Sequence, residues 1–430
     1  MTARLQVVCR QLLWGCMACA PWWGLAQAQA QTLEALVLDA LAMHPSNLSQ
    51  RAQVASAMAG VEGARWQFYP TPSVSVETAN TRNSDPLYQG DNFVTLLRLQ
   101  QPLYTGGRLS AGADKAQASL DLSKASLEET QLQLALRVVQ AYGDWLAAHL
   151  KTQANQKSEV THTRLRDLVQ SRIDEGVSAD SDLVLALARL DAIRSDVIAV
   201  RAQSDMALAR LGQLLGRPVS EANLVSALAV ARPVQLQLAA LLDQALERSP
   251  SVQKAKFQVR VLEATVVERQ ADLLPEVYLR AERQYGNFNF ANGGPENRLF
   301  LGMASRFGAG LSGLSNVTAA RSQLDAAVAE VQVQMRSVNE QVLADHALAL
   351  SSERRLALVR TSLRSAQSVS ESYDRQFLAG RKTWLDVMNA ARELAQTETQ
   401  LADLYSSQVV ASWRLSFLTS GVEAVTQGNP

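Results

Sequence analysis

The chain is written twice. Shifted along itself by about 205 positions, Ala40, Leu41, Pro45, Ser46, Pro70 and Glu77 fall on Ala245, Leu246, Pro250, Ser251, Pro275 and Glu282. One residue is then deleted. Gly106, Ala116, Leu120, Asp121 and Val138 meet Gly310, Ala320, Leu324, Asp325 and Val342, and Gly176, Asp182, Ala186, Leu190, Arg210 and Leu211 meet Gly380, Asp386, Ala390, Leu394, Arg414 and Leu415. A repeat of this length is half of a fold rather than one unit of a stacked solenoid.

Proline punctuates each half alike. None occurs between Pro102 and Pro218, or between Pro295 and Pro430. Each proline-free stretch reads as two long helices meeting at a glycine: 108–175 and 179–216 in a first repeat spanning 31–232, then 311–379 and 383–420 in a second spanning 233–430. Apolar residues recur at threes and fours, as in Leu127, Leu134, Val138, Ala141, Trp145 and Ala148. From Leu183 the same spacing makes a coiled-coil-like seam, interrupted by Arg194, Arg201 and Ser204. At about 1.5 Å per residue, a helix of over sixty residues is on the order of 100 Å long. Such rods must run beside one another in a bundle or tube. Shorter helices open each half, with Pro45 and Pro250 in first turns, Ser249 as a cap, and Pro70 and Pro275 as terminators.

After each terminator the period changes to two. Val74 and Val76 alternate with Ser75 and Glu77, and Phe93 to Gln100 alternate more loosely. The second half repeats this with Val277, Leu279 and Ala281 against Tyr278, Arg280 and Glu282, then Leu299, Leu301 and Met303. The spacing predicts hairpins over 73–101 and 277–306, joined through polar loops rich in Asn, Gly, Asp and Pro. Four strands with one apolar face cannot close a barrel alone, and open edges in lipid cost several kcal/mol per unpaired group. Oligomerisation is the economical solution.

Residues 1–30 read as a secretory signal: Arg4 and Arg10, an apolar stretch from Leu12 to Leu25, then Ala-Gln-Ala cleavage sites ending at Ala28 and Ala30. All three cysteines, Cys9, Cys16 and Cys19, lie inside it, so the exported chain folds without disulfides. Gly15-Cys16 resembles a lipidation site, though Trp14 fits that pattern badly. No later run reaches the roughly 18 apolar residues of a spanning helix. Lys plus Arg number 41, as do Asp plus Glu; a balanced chain offers no case for nucleic acid.

The order of signal, proline-ended helix, hairpin, very long helix, glycine turn and long helix, all repeated, resembles the TolC family of outer-membrane efflux and secretion channels. The matching motifs are His44-Pro45-Ser46, Tyr69-Pro70, Gln101 to Arg108 and Gly380 to Val387. The resemblance covers essentially the whole exported chain. It implies a mostly helical fold with a small β part: a homotrimer pooling twelve strands into an outer-membrane β-barrel and twelve helices into a periplasmic α-barrel, belted by smaller helices near Ala231 to Glu247 and the C-terminus. It implies as partners a periplasmic adaptor (membrane fusion protein), an inner-membrane transporter of ABC or RND type, and outer-membrane lipid.

The resemblance also implies where function lies. The tunnel narrows at its periplasmic end, and Asp386 matches the family's aperture aspartate. The next acid of the family is Asn389 here, which would halve a ring of negative charge. Lys382 matches a gate arginine and would reach Asp182 or Ser181 of a neighbouring coil without arginine's fork geometry. Phe377 stands where a gate tyrosine can stand. Gly176, Val177, Ser178, Gly380, Arg381, Thr383 and Trp384 form the tips where an adaptor would dock. Plainer readings stand beside these. Thr383-x-x-Asp386 has capping-box spacing, Gly176 and Gly380 have the form of helix ends, and Trp384 has an equal claim to a core role.

Catalysis finds no support: His44, His149, His162 and His346 are scattered without metal-ligand spacing, no phosphate-cradling loop occurs, and no cofactor is expected. The leading expectation is an export duct, in type I protein secretion or in RND-type multidrug efflux. The Arg381 to Val387 tip resembles secretion members more closely. A periplasmic coiled-coil scaffold without a pore is the reading from another class.

Overall fold

The computed structural model describes residues 31–80, 90–225, 231–232, 237–289, 294–305 and 312–426. The expected signal segment with its three cysteines, parts of both hairpin loops, Gly310 and part of the expected belt lie outside them.

Each half opens with two helices broken at a proline: α1 (Leu33–Met43) and α2 (Pro45–Trp66), later α5 (Leu238–Arg248) and α6 (Pro250–Ala271). Both prolines occupy the first turn, where a missing N–H costs nothing. His44 Nδ1 accepts from the Ser46 N–H, and Ser249 Oγ accepts from the Val252 N–H. Strands β1 (Thr71–Thr78) and β2 (Phe93–Tyr104) follow α2, and β3 (Glu276–Tyr285) and β4 (Glu296–Ala304) follow α6. Strand β2 runs through Pro102, which sits at a register irregularity between Pro102 and Tyr104, the kind of site that tolerates a residue without a ladder donor. The two hairpins join through β2 and β3 into one antiparallel sheet of order β1-β2-β3-β4, leaving β1 and β4 as open edges.

The helical body is longer than the sheet. Helices α3 (Arg108–Asp174) and α7 (Ser312–Leu378) have 67 residues each, on the order of 100 Å. Their partners α4 (Asp180–Leu215) and α8 (Trp384–Ser420) return beside them. Near the sheet the packing order is α2, α3, α6, α7; farther away it is α4, α3, α8, α7. The chain is therefore a wall four helices wide at either level. Arg108 reaches Glu276 at 3.5 Å, tying the start of α3 to the start of β3.

The largest core sits midway along this wall. There Tyr142 and Trp145 of α3 meet Trp413 and Phe417 of α8 beneath α1 and the short C-terminal α9 (Val422–Thr426). The Arg232 guanidinium lies 4.3 Å above the Trp413 ring, 2.9 Å from Glu34 and 3.0 Å from the Val425 carbonyl, clamping the first and last helices to the wall. A smaller core holds α5 against α7 and α8. Two flanks stay apolar and open. Leu314, Val328, Val333 and Leu358 are exposed on α7, as are Val184, Ile198 and Met206 on α4.

The sheet separates its faces by chemistry. In register, Pro72, Leu99, Ala281 and Leu299 form one row, and Val74, Leu97, Arg283 and Asn297 the next. Leu299, Leu301 and Met303 on this face are each over 70 % exposed. The opposite face is polar. Arg98 and Arg280 converge on Glu282 at 2.8 and 3.0 Å, and Arg298 pairs with Glu296. Exposed Phe93 and Tyr285 mark the hairpin end, and exposed Trp66, Phe68, Tyr69 and Tyr104 the helix end. Aromatic girdles bracketing an apolar band are the mark of a sheet that meets lipid. Among the described residues no helix is long and apolar enough to cross a membrane.

Candidate functional site

The far ends of the wall are the two turns α3–α4 and α7–α8, and they are built alike. Gly176 and Gly380 have φ of 75° and 71°, a left-handed conformation that costs glycine no Cβ clash. The Gly176 N–H donates to the Ile173 carbonyl and that of Val177 to Arg172; likewise Gly380 donates to Phe377 and Arg381 to Gln376. This paired pattern is the Schellman closure of a helix. The plainer reading of both glycines therefore holds.

The starts of the returning helices differ. At α8 the Asp386 N–H donates to Thr383 Oγ1 at 3.2 Å, and Asp386 Oδ2 accepts from the Thr383 N–H at 3.1 Å and its hydroxyl at 2.8 Å. These bonds complete a capping box. The Thr383 hydroxyl, then its N–H, and Lys382 beyond them hold the Asp386 carboxyl below the usual carboxylate range. At α4 the cap position is Ala179, which has no side chain to offer, and Asp180 and Asp182 occupy the first turn, where negative charge suits the helix dipole. The first tip is net acidic, with Asp174, Glu175, Asp180 and Asp182 against Arg172; the second is net basic, with Arg375, Arg381 and Lys382 against Asp374 and Asp386.

The residues expected to form a polar lock have specific places. Lys382 stays on its own tip, its ammonium 4.3 Å from the Tyr373 ring and 4.0 Å from Asp386. Asp182 makes no ion pair among the described residues. Phe377 is 1 % exposed. It belongs to a core with Leu165, Ala186, Val387, Met388 and Ala391, and Trp384 lies half-buried against that core. Gly176, Val177, Ser181, Arg381 and Asn389 are exposed and Ser178 half-buried.

Two arginines of α3 join the coils here, and sequence reasoning missed both. The Arg172 guanidinium lies 4.2 Å over the Phe377 ring and donates to the Phe377 carbonyl at 3.3 Å. Arg164 pairs with Asp374 at 2.8 Å. An arginine on an amphipathic helix carries no sequence signal of what it faces. Higher on α3, His162 is buried with Nδ1 2.8 Å from the Ser158 carbonyl. Burial lowers its pKa, so it is a neutral core residue at neutral pH. The arrangement offers a tightly packed end with a charged rim. Among the described residues no three His, Cys, Asp or Glu gather as metal ligands.

A membrane-type sheet continued by a wall of 100 Å helices defines an outer-membrane channel protein that extends into the periplasm. The chain belongs to the outer membrane efflux protein family, whose model matches residues 36–217 and 241–421. It is 24 % identical over 334 residues to the alkaline protease secretion protein AprF of Pseudomonas aeruginosa, covering 76 % of this chain and 69 % of that one. It is 22 % identical to the outer membrane protein TolC of Vibrio cholerae, covering 87 % of each. Its fold matches the outer membrane protein VceC of Vibrio cholerae with a TM-score of 0.77 at 15 % identity, over 90 % of this chain and 96 % of that one.

The capping box makes a local prediction. Thr383→Ala removes the side-chain partner of the Asp386 N–H, at a cost of about 1 kcal/mol. Amide hydrogen exchange over 383–387 is expected to quicken about fivefold, while exchange over 179–183, which has no side-chain cap, stays unchanged. Equal protection in both proteins would remove the box from the account.

Proposed function

We propose that three copies of this chain assemble into a conduit across the outer membrane and periplasm, serving as the outer-membrane component of a type I protein secretion system. One observation carries this reading: the wall and the sheet are both unfinished. Strands β1 and β4 present unpaired edges, and the α4 and α7 flanks present unpaired leucine, valine, isoleucine and methionine. The two edges differ, so their union is head-to-tail and closes as a ring. Three protomers supply twelve strands, enough for a barrel whose edges vanish in lipid.

In this assembly the tips narrow the tunnel. Asp386, Asn389, Asp182, Ser181 and Lys382 line or latch the aperture, and Phe377 anchors each coil. Arg172 and Arg164 support the role of the tip core as the hinge that resists opening. The exposed residues around Gly176 and Gly380 are the docking surface for a periplasmic adaptor, with one acidic and one basic tip per protomer to distinguish. An inner-membrane transporter supplies the energy. Secretion is favoured by the likeness to AprF; the family's description as efflux proteins supports drug export as the second reading.

Purified protein in planar bilayers tests the duct. Lys382→Ala frees the ammonium's hold on Tyr373 and Asp386 and is expected to raise single-channel conductance and to sensitise cells to vancomycin-sized antibiotics. Unchanged conductance and sensitivity would reject Lys382 as a latch. A protein that never conducts, even with Lys382→Ala and Asp386→Asn combined, would reject the duct.

A further inference from the structure

The apolar face of the sheet contains one charge that its pattern does not explain. Arg283 projects from β3 on the same face as Leu279, Ala281 and Tyr285, and it is exposed. Among the described residues it makes no ion pair. Its sequence neighbour Glu282, and Glu296 on β4, lie on the polar face and are engaged by Arg98, Arg280 and Arg298. Arg283 instead lies 5.1 Å from the Tyr285 ring, and its register partner on β4 is Asn297, also exposed. The helices leave the sheet at the opposite end, in the periplasm, so the hairpin end faces outward. Arg283 is two residues from the end of β3, about 7 Å along the strand, at the level where the apolar band gives way to headgroups.

Directly below, Ala281 sits among larger side chains. Pro72, Val74, Leu97, Leu99 and Leu299 stand around it and leave an open depression of about 630 Å³, with Arg283 and Asn297 at its outer rim. Ser73, Arg98, Glu282 and Arg298 also border the seat, from the row between, but the charged groups of Arg98, Glu282 and Arg298 are engaged in ion pairs on the opposite face. The side chains that project on this face are apolar up to Arg283, at the end where lipid headgroups lie. A guanidinium beside an amide matches a phosphate monoester, which accepts two parallel N–H bonds.

We propose that this depression binds a phosphorylated lipid of the outer leaflet, its phosphate held by Arg283 and Asn297 and one acyl chain lying over Ala281. The inference rests on the reading of this face as lipid-facing in an assembled barrel. The depression spans all four strands, from Pro72 and Val74 on β1 to Asn297 and Leu299 on β4. These side chains stand on the face of the sheet, and edge-to-edge pairing on assembly uses backbone groups in its plane, so the face stays open.

The test uses the full chain, purified in detergent, with native mass spectrometry reading retained lipid. The probes are diphosphorylated lipid A and the same lipid after enzymatic dephosphorylation. Wild type is expected to retain the phosphorylated form preferentially. Arg283→Gln is expected to weaken that retention about tenfold, the loss of one charge-assisted contact. Ala281→Phe fills the seat and is expected to weaken both forms. Arg355→Gln, on an exposed part of α7 far from the sheet, leaves retention as in wild type. Equal retention of the two lipids by wild type, or undiminished retention by Arg283→Gln, overturns the proposal. Bilayer conductance of the same preparations judges the duct reading separately, because Arg283→Gln leaves the tunnel lining untouched.

Discussion

Gly143→Leu is expected to abolish the folded channel. Gly143 is buried in α3 at the middle of the wall, between Tyr142 and Trp145. A Cβ built there collides with the Val410 side chain of α8 and lies 3.3 Å from Ser406 Oγ. The Ser406 hydroxyl donates to the Gly143 carbonyl at 2.6 Å, so the two backbones are held together by a bond that exists only because no side chain intervenes. Glycine inside a helix costs about 1 kcal/mol relative to alanine, and here close helix contact offsets that cost. Leucine would push α8 away, break the Ser406 bond and open the core under α1. Overpacking of this kind costs about 1–3 kcal/mol for a few methylenes and more where the neighbour is backbone-bound. The measurement is the fraction of outer-membrane protein that survives trypsin. Gly143→Ala is expected to be milder and to be partly rescued by Val410→Ala, with a coupling of about 1 kcal/mol between the two sites. Undiminished protease resistance of Gly143→Leu would mean that α3 and α8 do not need their close approach.

Much of this architecture is legible along the chain because proline, glycine and hydrophobic period mark where elements begin, end and turn. The 67-residue helices follow from the proline-free stretches, the tips from Gly176 and Gly380, and the capping box from the Thr383-x-x-Asp386 spacing. Alternation in β1 and β3 also identifies which sheet face is apolar. What a periodic pattern does not contain is the partner. The alternation of Leu97 and Leu99 is the same whether β2 ends the sheet or pairs with β3, and the β2–β3 ladder that merges the hairpins is a long-range fact. Phe377 matches a gate position in sequence, and its burial is not legible there, because Leu165 and Met388 reach it from other helices. Lys382 finds an aromatic ring on its own tip, and Arg164 and Arg172 find their partners across the coil. Charged side chains on long stems are the hardest to place from sequence, since several partners lie within reach and burial decides among them.

The duplicated halves also differ in one ion pair, and that difference predicts the second large effect. Arg210 and Arg414 are counterparts in the repeat. Arg210 meets Asp144 at 3.5 Å, with both side chains well exposed at 66 % and 42 %. Arg414 Nε instead bonds both oxygens of Asp345 at 3.0 and 3.1 Å, with side-chain exposures of 26 % and 9 %. Burial raises the Asp345 pKa, and Arg414 opposes that rise without cancelling it. A carboxyl with a raised folded pKa binds its proton more tightly folded than unfolded. Its stability contribution is therefore most favourable at acid pH and declines as pH climbs from the unfolded value, about 3.9, through the folded one. Arg414→Met strands the carboxylate. At neutral pH it is expected to cost about 3–5 kcal/mol, as for a buried pair losing one partner, and less at about pH 4, where Asp345 takes up a proton. Arg414→Met combined with Asp345→Leu is expected to recover most of the loss, since a packed apolar pair replaces a buried ionic one at little cost. Arg210→Met, on the exposed counterpart, is expected to cost no more than about 1 kcal/mol. Thermal inactivation of the detergent-solubilised protein at both pH values reads all four proteins. If Arg414→Met proves no more fragile than Arg210→Met, or equally fragile at both pH values, the Asp345 carboxylate is not held against desolvation by Arg414, and the asymmetry between the halves has no energetic consequence.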